Sequence, residues 1–165
     1  MPHDKSKQSY SNRPLPESKP NKKRPADYLL RAQELQAYTI DKCADIQKNP
    51  DRGGKSLTFS LLNPMCETAN RITQHCVYAD ENFPTCRQDW IDRRKDLRLA
   101  WQAAKDLDSL LTVAQLTKRW NVGESVIEEW SRKINRVLGI LNKTIEDHET
   151  RLIYLLDVDY KSVRS

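Results

Sequence analysis

From residue 26 onward, the hydrophobic residues of this chain recur at spacings of three and four. Such spacing places side chains along one face of a helix. The first stripe comprises Tyr28, Ala32, Leu35, Thr39, Cys43 and Ile46, and the second comprises Leu57, Leu61, Met65, Ala69, Ile72, Cys76 and Ala79. Asn49 and Pro50 predict the end of the first helix, because an interior proline removes a hydrogen bond and clashes with the preceding turn.

The regular part of the second helix is predicted to begin at Asn63 and Pro64, since asparagine is a good N-cap and proline suits the first helical position. The preceding stretch, 57–62, is either a helical lead-in or a bend. Residues 82–84, which end in a proline, are then expected to break the helix.

Two capping-box patterns predict the starts of the remaining helices: Thr85 with Gln88, and Ser125 with Glu128. The third stripe extends toward Trp120 and comprises Trp90, Arg94, Leu97, Trp101, Ala104, Leu107, Leu111 and Ala114. Gly123 is expected to end this helix in a left-handed turn. The fourth stripe comprises Ile127, Trp130, Ile134, Val137, Leu138, Leu141 and Ile145.

These four segments predict an all-α fold, an antiparallel up-down four-helix bundle. Hydrophobic residues are 38% of the chain, charged residues are 31% and glycines number only four, a composition that favours long helices over a turn-rich β fold. We expect a disordered basic tail at 1–25, the bundle at 26–150 and a C-terminal extension at 151–165. No apolar run approaches the roughly 18 residues of a membrane span, so a soluble, cytoplasmic protein is expected.

Several apolar residues lie outside the four stripes. A helix of a globular protein normally buries one face, and these residues cannot all point into one core: Leu29, Ile40, Leu99, Leu110, Leu116 and Ile140. They favour a second buried surface, most simply a contact between subunits of a homo-oligomer, although scattered exposed leucines are also ordinary.

The net charge of +5 resides in the first 24 residues. This segment holds seven basic and two acidic residues, whereas the rest of the chain holds 21 of each. It has almost nothing apolar to bury and is therefore expected to be disordered in isolation. It is either a solubilising tail or an arm that contacts phosphates, and Lys22, Lys23 and Arg24 are candidate contacts in the second case.

Basic residues within the bundle are concentrated on two helices. The third helix carries Arg87, Arg93, Arg94, Lys95 and Arg98, and the fourth carries Arg132, Lys133, Arg136 and Lys143. No acidic residue lies between Ser131 and Lys143. Arginines four residues apart share a helix face and can reach adjacent phosphates. The combined set favours an anionic partner.

The alternative interpretation of these residues is a solvated surface with ion pairs along each helix. Suitable acids are present four residues away, such as Asp89 for Arg93 and Glu128 for Arg132. For any single arginine, this structural interpretation is the stronger one.

The stretch 49–56, NPDRGGKS, differs from the phosphate-binding pattern G-x-x-x-x-G-K-[ST] by one residue, because Asn49 replaces the first glycine. A phosphate loop needs a strand before it and a helix after it. Here a helix precedes the stretch, and Pro50 has no amide to offer. We therefore interpret it as the link between the first two helices, with Arg52 and Lys55 exposed at the end of the bundle as candidate contacts.

The cysteines, Cys43, Cys66, Cys76 and Cys86, form no C-x-x-C pair. Reduced cysteines that serve in packing are expected, rather than zinc ligands or disulfides. His75 and Cys76 are adjacent and point about 100° apart on a helix, so they do not converge on one ion. No arrangement of residues predicts catalysis, and neither a metal site nor a cofactor is expected.

The span from about 26 to 143 resembles a family of small four-helix-bundle proteins. The resemblance rests on YLLRAQELQAYTIDKC, on the basic loop NPDRGGKSLTF, on RRKDLRLAWQAAKDLDSLL and, most closely, on SVIEEWSRKINRVLGILNK. In the last of these, an acidic and aliphatic start precedes an Ile-x-x-x-Leu-Gly-like stretch, here Ile134 to Gly139. The family includes the accessory variability determinant (Avd) of diversity-generating retroelements and the proteins encoded in ribosomal-RNA intervening sequences.

This resemblance implies a homopentameric basic barrel that is not itself an enzyme, binds the retroelement's reverse transcriptase and contacts its template RNA or cDNA. The chain departs from the family pattern because its bundle is neutral overall and because both the basic tail and RLIYLLDVDYKSVRS extend beyond the usual core. We expect a non-catalytic reverse transcriptase accessory subunit in mutagenic retrohoming. The alternatives are a stand-alone helical nucleic-acid-binding or regulatory protein and, from GGKS, a nucleotide-dependent enzyme.

Overall fold

The computed structural model describes residues 25–52 and 54–163. Within these residues the chain forms four α-helices and no strand. Helix α1 spans Asp27–Lys48, α2 spans Asn63–Glu81, α3 spans Arg87–Leu116 and α4 spans Glu124–Val163. The prediction of an all-α four-helix bundle is confirmed. The predicted tail contacts Lys22, Lys23 and Arg24 lie outside the described residues.

The helices pack in a ring, in which each helix contacts the next one along the chain and α4 closes against α1. Short connections make sequential neighbours antiparallel. The side-chain amide of Gln36 donates to Asn70 Oδ1 at 2.8 Å and sets the register of α1 against α2. The Tyr38 hydroxyl donates to the Val126 carbonyl at 3.2 Å, so the first turn of α4 lies beside the middle of α1.

The connection between α1 and α2 is itself helical. Helix α1 ends at Lys48, as the Asn-Pro sequence predicts, and is followed by 3₁₀ turns at Pro50–Arg52 and Gly54–Leu57. A π-helical turn at Thr58–Leu62 then runs directly into α2. The stretch 57–62 is therefore the lead-in rather than the bend. Asn63 does not cap α2, because the backbone of the preceding Leu62 is already helical, with φ −66° and ψ −45°.

The predicted starts of α3 and α4 are each displaced. The N-cap of α3 is Cys86 instead of Thr85, and the capping acid is Asp89 instead of Gln88. Helix α4 begins at Glu124, one residue before the predicted cap. Gly123 does not adopt the left-handed conformation, and its carbonyl accepts the backbone N–H of Val126 at 3.0 Å. It therefore begins α4 instead of ending α3.

The core contains the predicted stripes almost unchanged. All the named positions of the first two stripes are buried, as is Trp130 in the second turn of α4. The indole N–H of Trp130 donates to the Thr39 hydroxyl at 3.1 Å, so neither polar group is buried without a partner. Ala100, Ala103 and Ala104 are buried on the inner face of α3, where their small side chains let the neighbouring helices approach closely.

The apolar residues outside the stripes have different environments. Leu29 is buried, which corrects its assignment to a second surface, and Leu110 and Ile140 are half-buried against the core. Ile40, Leu99 and Leu116 remain exposed. None of the described helices contains a stretch both long and apolar enough to cross a bilayer.

Candidate nucleic-acid interface

The candidate contact residues within the described part of the chain lie in three regions. Arg52 and Lys55 are exposed on the link between α1 and α2. The α3 cluster comprises Arg87, Arg93, Arg94, Lys95 and Arg98, and the α4 stripe comprises Arg132, Lys133, Arg136 and Lys143.

Most of the α3 cluster is engaged by other helices. Arg98 hydrogen-bonds Glu149 of α4, and an Arg94 guanidinium nitrogen lies 3.9 Å from the same carboxylate. Arg93 is half-buried and donates to the Tyr28 hydroxyl of α1 at 3.2 Å. These arginines therefore join helices of the bundle, whereas Arg87 and Lys95 are exposed.

The predicted pairing of Arg93 with Asp89 does not occur, because Asp89 caps α3. Its carboxylate accepts the Thr85 hydroxyl at 2.7 Å and the backbone N–H groups of Thr85 and Cys86 at 2.8 Å and 3.0 Å. Hydrogen bonds to a carboxylate favour its charged form. Led by the Thr85 side-chain bond, they lower the pKa of Asp89 to about 2.

The α4 stripe has a different environment. Arg132, Arg136 and Lys143 fall within about 40° of one another around the helix axis, and all three are exposed. Arg132 bonds Glu129, not the predicted Glu128, with an Nε to Oε2 distance of 2.9 Å. Neither Arg136 nor Lys143 makes an ion pair with any described residue.

Lys133 is the inward member of this stripe. Its ammonium group lies 3.4 Å from Glu129 and 5.3 Å from the centre of the Tyr38 ring. Lys42 of α1 lies 5.5 Å from the centre of the same ring. Lys133 therefore contributes to the contact between α1 and α4.

A small cleft of about 40 Å³ separates α1 from α4 along the stripe. It is lined by Arg31, Glu34, Glu129, Arg132, Lys133 and Arg136. Hydrogen bonding from Arg31 lowers the pKa of Glu34, and hydrogen bonding from Arg132 lowers that of Glu129. Both acids therefore stay ionised, and four basic groups meet two acidic ones, which leaves the cleft positive.

The end of the bundle holds two basic residues that the sequence did not single out. The α1–α2 link and the α3–α4 loop line one open cleft, with Asp51 and Ser56 on one side and Lys118 and Arg119 on the other. The sequence pattern extended the third helix toward Trp120, whereas α3 ends at Leu116 and Lys118 and Arg119 form an exposed turn.

The stretch 49–56 lacks the surroundings of a phosphate loop in the residues described. Helix α1 precedes it where a strand is required, and its residues on either side of position 53 form 3₁₀ turns. Among the residues that the structure describes, no three His, Cys, Asp or Glu side chains are grouped to hold a metal ion.

His148 is a buried polar residue that the sequence did not identify. Its Nδ1 lies 2.7 Å from the Thr144 carbonyl, to which it donates, and its ring meets Trp90 edge-on with 4.8 Å between ring centres. Burial, with smaller effects from Arg93 and Arg151, lowers the pKa of His148. The ring therefore favours the neutral state and packs α4 against the start of α3.

The chain matches no protein-family model, and comparisons with curated proteins and with solved structures give no match. The resemblance to the Avd family therefore stays a prediction.

Proposed function

We propose that this chain is a non-catalytic accessory subunit that binds RNA or cDNA beside a reverse transcriptase. The observation that supports the proposal most is the outward row of Arg132, Arg136 and Lys143 on α4. Two of these side chains make no ion pair within the described residues, and the helix carries no acid between Ser131 and Lys143. Their charges are therefore available to an external anion.

The dimensions of the row suit a phosphate backbone. Arg132 and Lys143 are separated by about 16 Å along the helix axis. One strand of a duplex presents a phosphate about every 3.4 Å of axis, so the row faces about five phosphates. Lysine and arginine contacts of this kind position a nucleic acid without reading its sequence. Selection of a particular RNA would then fall to the polymerase.

Copurification tests the proposal directly. A tagged reverse transcriptase, encoded beside this chain or supplied from a diversity-generating retroelement, is expected to retain both the wild-type chain and RNA. The triple variant R132A/R136A/K143A should still bind the polymerase and should lose most of the RNA. K105A, which removes an exposed lysine of α3, serves as the matched control. A chain that retains neither polymerase nor RNA would contradict the proposal.

The accessible row on α4 also favours a second candidate, a nucleic-acid-binding protein that needs no polymerase. Electrostatic binding of this kind weakens steeply as salt rises. RNA binding by the purified chain alone, with a steep salt dependence and no gain when polymerase is added, would favour this candidate over the first.

A further inference from the structure

An open cleft at one end of the bundle, the bundle-end cleft, lies between the α1–α2 link and the α3–α4 loop. Asp51 and Ser56 line one side, and Lys118, Arg119 and Trp120 line the other. Its volume of about 530 Å³ falls within the roughly 300–1,000 Å³ of pockets that take small ligands. The cleft therefore has room for a group the size of one nucleotide.

The basic side chains around this cleft are not neutralised by the protein. Lys118 and Arg119 are exposed, and neither makes an ion pair with any described residue. Arg52 and Lys55 on the α1–α2 link are exposed as well. Four basic residues thus lie at this end of the bundle with one acid, Asp51, in the cleft lining. The cleft is therefore positive.

Trp120 gives the cleft an aromatic wall. The residue is half-buried and packs against the core. Its indole Nε1 is buried and has no hydrogen-bond partner among the residues that the structure describes. The N–H edge of the ring therefore faces the protein, and the part of the side chain that remains accessible is aromatic carbon. Such a surface suits stacking against another ring.

Three other open clefts differ from this one in charge. The cleft beside Trp101, of about 420 Å³, contains Glu146 as well as the bonded pair of Arg98 and Glu149. The remaining two are each lined by two acidic residues and one basic residue: Glu67, Asp106 and Arg71 between α2 and α3, and Glu124, Glu128 and Arg132 at the start of α4. All three would repel a phosphate, whereas the bundle-end cleft attracts one.

We propose that the bundle-end cleft binds unpaired nucleotides of the RNA or cDNA that lies along the α4 row. Lys118 and Arg119 contact phosphates, and one base stacks on Trp120. Single strands are bound in this way where a basic groove is combined with aromatic side chains. A duplex keeps its bases paired and offers none to Trp120, so the cleft favours a single-stranded end or loop. This site rests on the proposed function, because the α4 row supplies the rest of the contact.

The α4 row and the cleft are near enough to share one strand. Arg132 lies about 12 Å along the helix axis from Glu124, where α4 begins. It lines a cleft with Val122, and the adjacent Asn121 lines the bundle-end cleft. A strand with a phosphate about every 3.4 Å covers this distance in about four nucleotides. Because Glu124 and Glu128 lie on the way, the strand would make two separate contacts.

Fluorescence anisotropy with the purified full chain tests this site. One labelled RNA is a blunt duplex, and the others carry about eight unpaired nucleotides at the 5′ or the 3′ end, a length within the range that single-strand-binding folds cover. The wild type should bind at least one of the overhang RNAs at least about fivefold more tightly than the blunt duplex, as expected for one stacked base.

Two variants assign this gain to the cleft. W120L keeps an apolar side chain but removes the stacking surface, and it should reduce the gain to less than about twofold without changing binding of the blunt duplex. K118A/R119A alters an exposed turn and should lower the salt slope for the overhang RNA by about 1.4, or 0.7 for each phosphate contact of a single strand. W101L, which changes a half-buried tryptophan of the acidic cleft, is the matched control and should keep the gain.

The outcomes separate this site from the function on which it rests. Circular dichroism and binding of the blunt duplex check that each variant is folded. Equal binding of blunt and overhang RNAs by the wild type would overturn the site alone, as would a gain that survives either W120L or K118A/R119A. A wild-type chain that binds none of these RNAs would overturn both the site and the proposed function.

Discussion

The basic residues of α3 and those of α4 look alike in the sequence and differ in what surrounds them. Both helices carry arginines four residues apart. On α3, Arg94 and Arg98 converge on Glu149 of the neighbouring helix, whereas Arg136 on α4 projects outward without an ion pair among the described residues. Spacing thus identifies residues that share a face, and only the fold shows whether that face meets an acid.

The two regions also lie on different sides of α4, one where α4 packs against α3 and the other where it packs against α1. The α3 cluster packs toward Glu149, and the cleft beside the α4 stripe is lined by Arg31 and Glu34 of α1. The sequence placed the basic residues of both helices in one set of candidate contacts, whereas in the structure most of the α3 cluster is engaged by other helices and the α4 row is accessible.

Removing the α4 row should have the largest effect on binding. In R132A/R136A/K143A we expect the affinity for a labelled RNA to fall at least about tenfold and the slope of log affinity against log salt to decrease by about 2 to 3, one for each lost phosphate contact. Fluorescence anisotropy at several salt concentrations measures both. Because the residues are exposed, stability should change little. An unchanged salt slope would show that Arg132, Arg136 and Lys143 do not contact the RNA.

Releasing the α3 cluster should have the next largest effect. Glu149→Gln keeps the shape of the side chain and removes the charge that holds Arg94 and Arg98. We expect RNA affinity to rise and the salt slope to increase by about 1, as a freed arginine gains a phosphate. The same anisotropy titration measures both the affinity and the salt slope. If E149Q binds like the wild type, proximity to Glu149 is not what separates the two regions.

Truncating the α3 arginines should affect stability more than binding. In R94A/R98A we expect the free energy of unfolding in urea to fall by less than about 1 kcal/mol, because the ion pairs with Glu149 are partly exposed. RNA affinity should stay at the wild-type value. Combining these changes with E149Q completes a mutant cycle that isolates the interaction. A loss of affinity as large as that of the α4 triple variant would show that both regions bind RNA.

The smallest expected effect is a pH dependence at the α3–α4 contact. The pKa of His148 is lowered in the folded protein, so the unfolded chain binds the proton more readily and stability is lost as pH falls through the ordinary histidine range near 6.5. Burial is the main cause, and Arg93 from α3 and Arg151 from α4 also disfavour the protonated ring, whereas the hydrogen bond to the Thr144 carbonyl and, more weakly, Asp147 favour it.

Thermal unfolding of wild type and H148Q at pH 7.5 and pH 5.5 checks this expectation. The fall in Tm between the two pH values should be larger for the wild type. Equal falls would assign the pH dependence to other groups.

The helical spacing was sufficient to predict the fold because burial selects one face of each helix. Every named position from Tyr28 to Ile46 in the first stripe is buried, and the Asn-Pro sequence marks the end of α1 correctly. Capping was predicted less well. The patterns at Thr85 and Ser125 fit the residue types, but Asp89 is ionised and accepts three hydrogen bonds, so it outcompetes Gln88 as the capping side chain.

The environment of the candidate site could not be predicted in the same way. Arg98 and Glu149 are 51 residues apart, and Arg93 and Tyr28 are 65 apart. Their meeting depends on the register of packed helices, which the period of a stripe does not specify. Lys118 and Arg119 were missed because the stripe of the third helix extends past the residue at which that helix ends.

The burial of Trp130, whose indole hydrogen-bonds Thr39 of α1, has a consequence for the fluorescence of the protein. Trp130 is fully buried, whereas Trp90, Trp101 and Trp120 are only partly buried. A water-soluble quencher such as acrylamide should therefore quench the fluorescence of three of the four tryptophans and leave that of Trp130, which connects α4 to α1. The residual fluorescence would report whether these two helices stay docked, and it could be followed in real time while RNA or a polymerase is added.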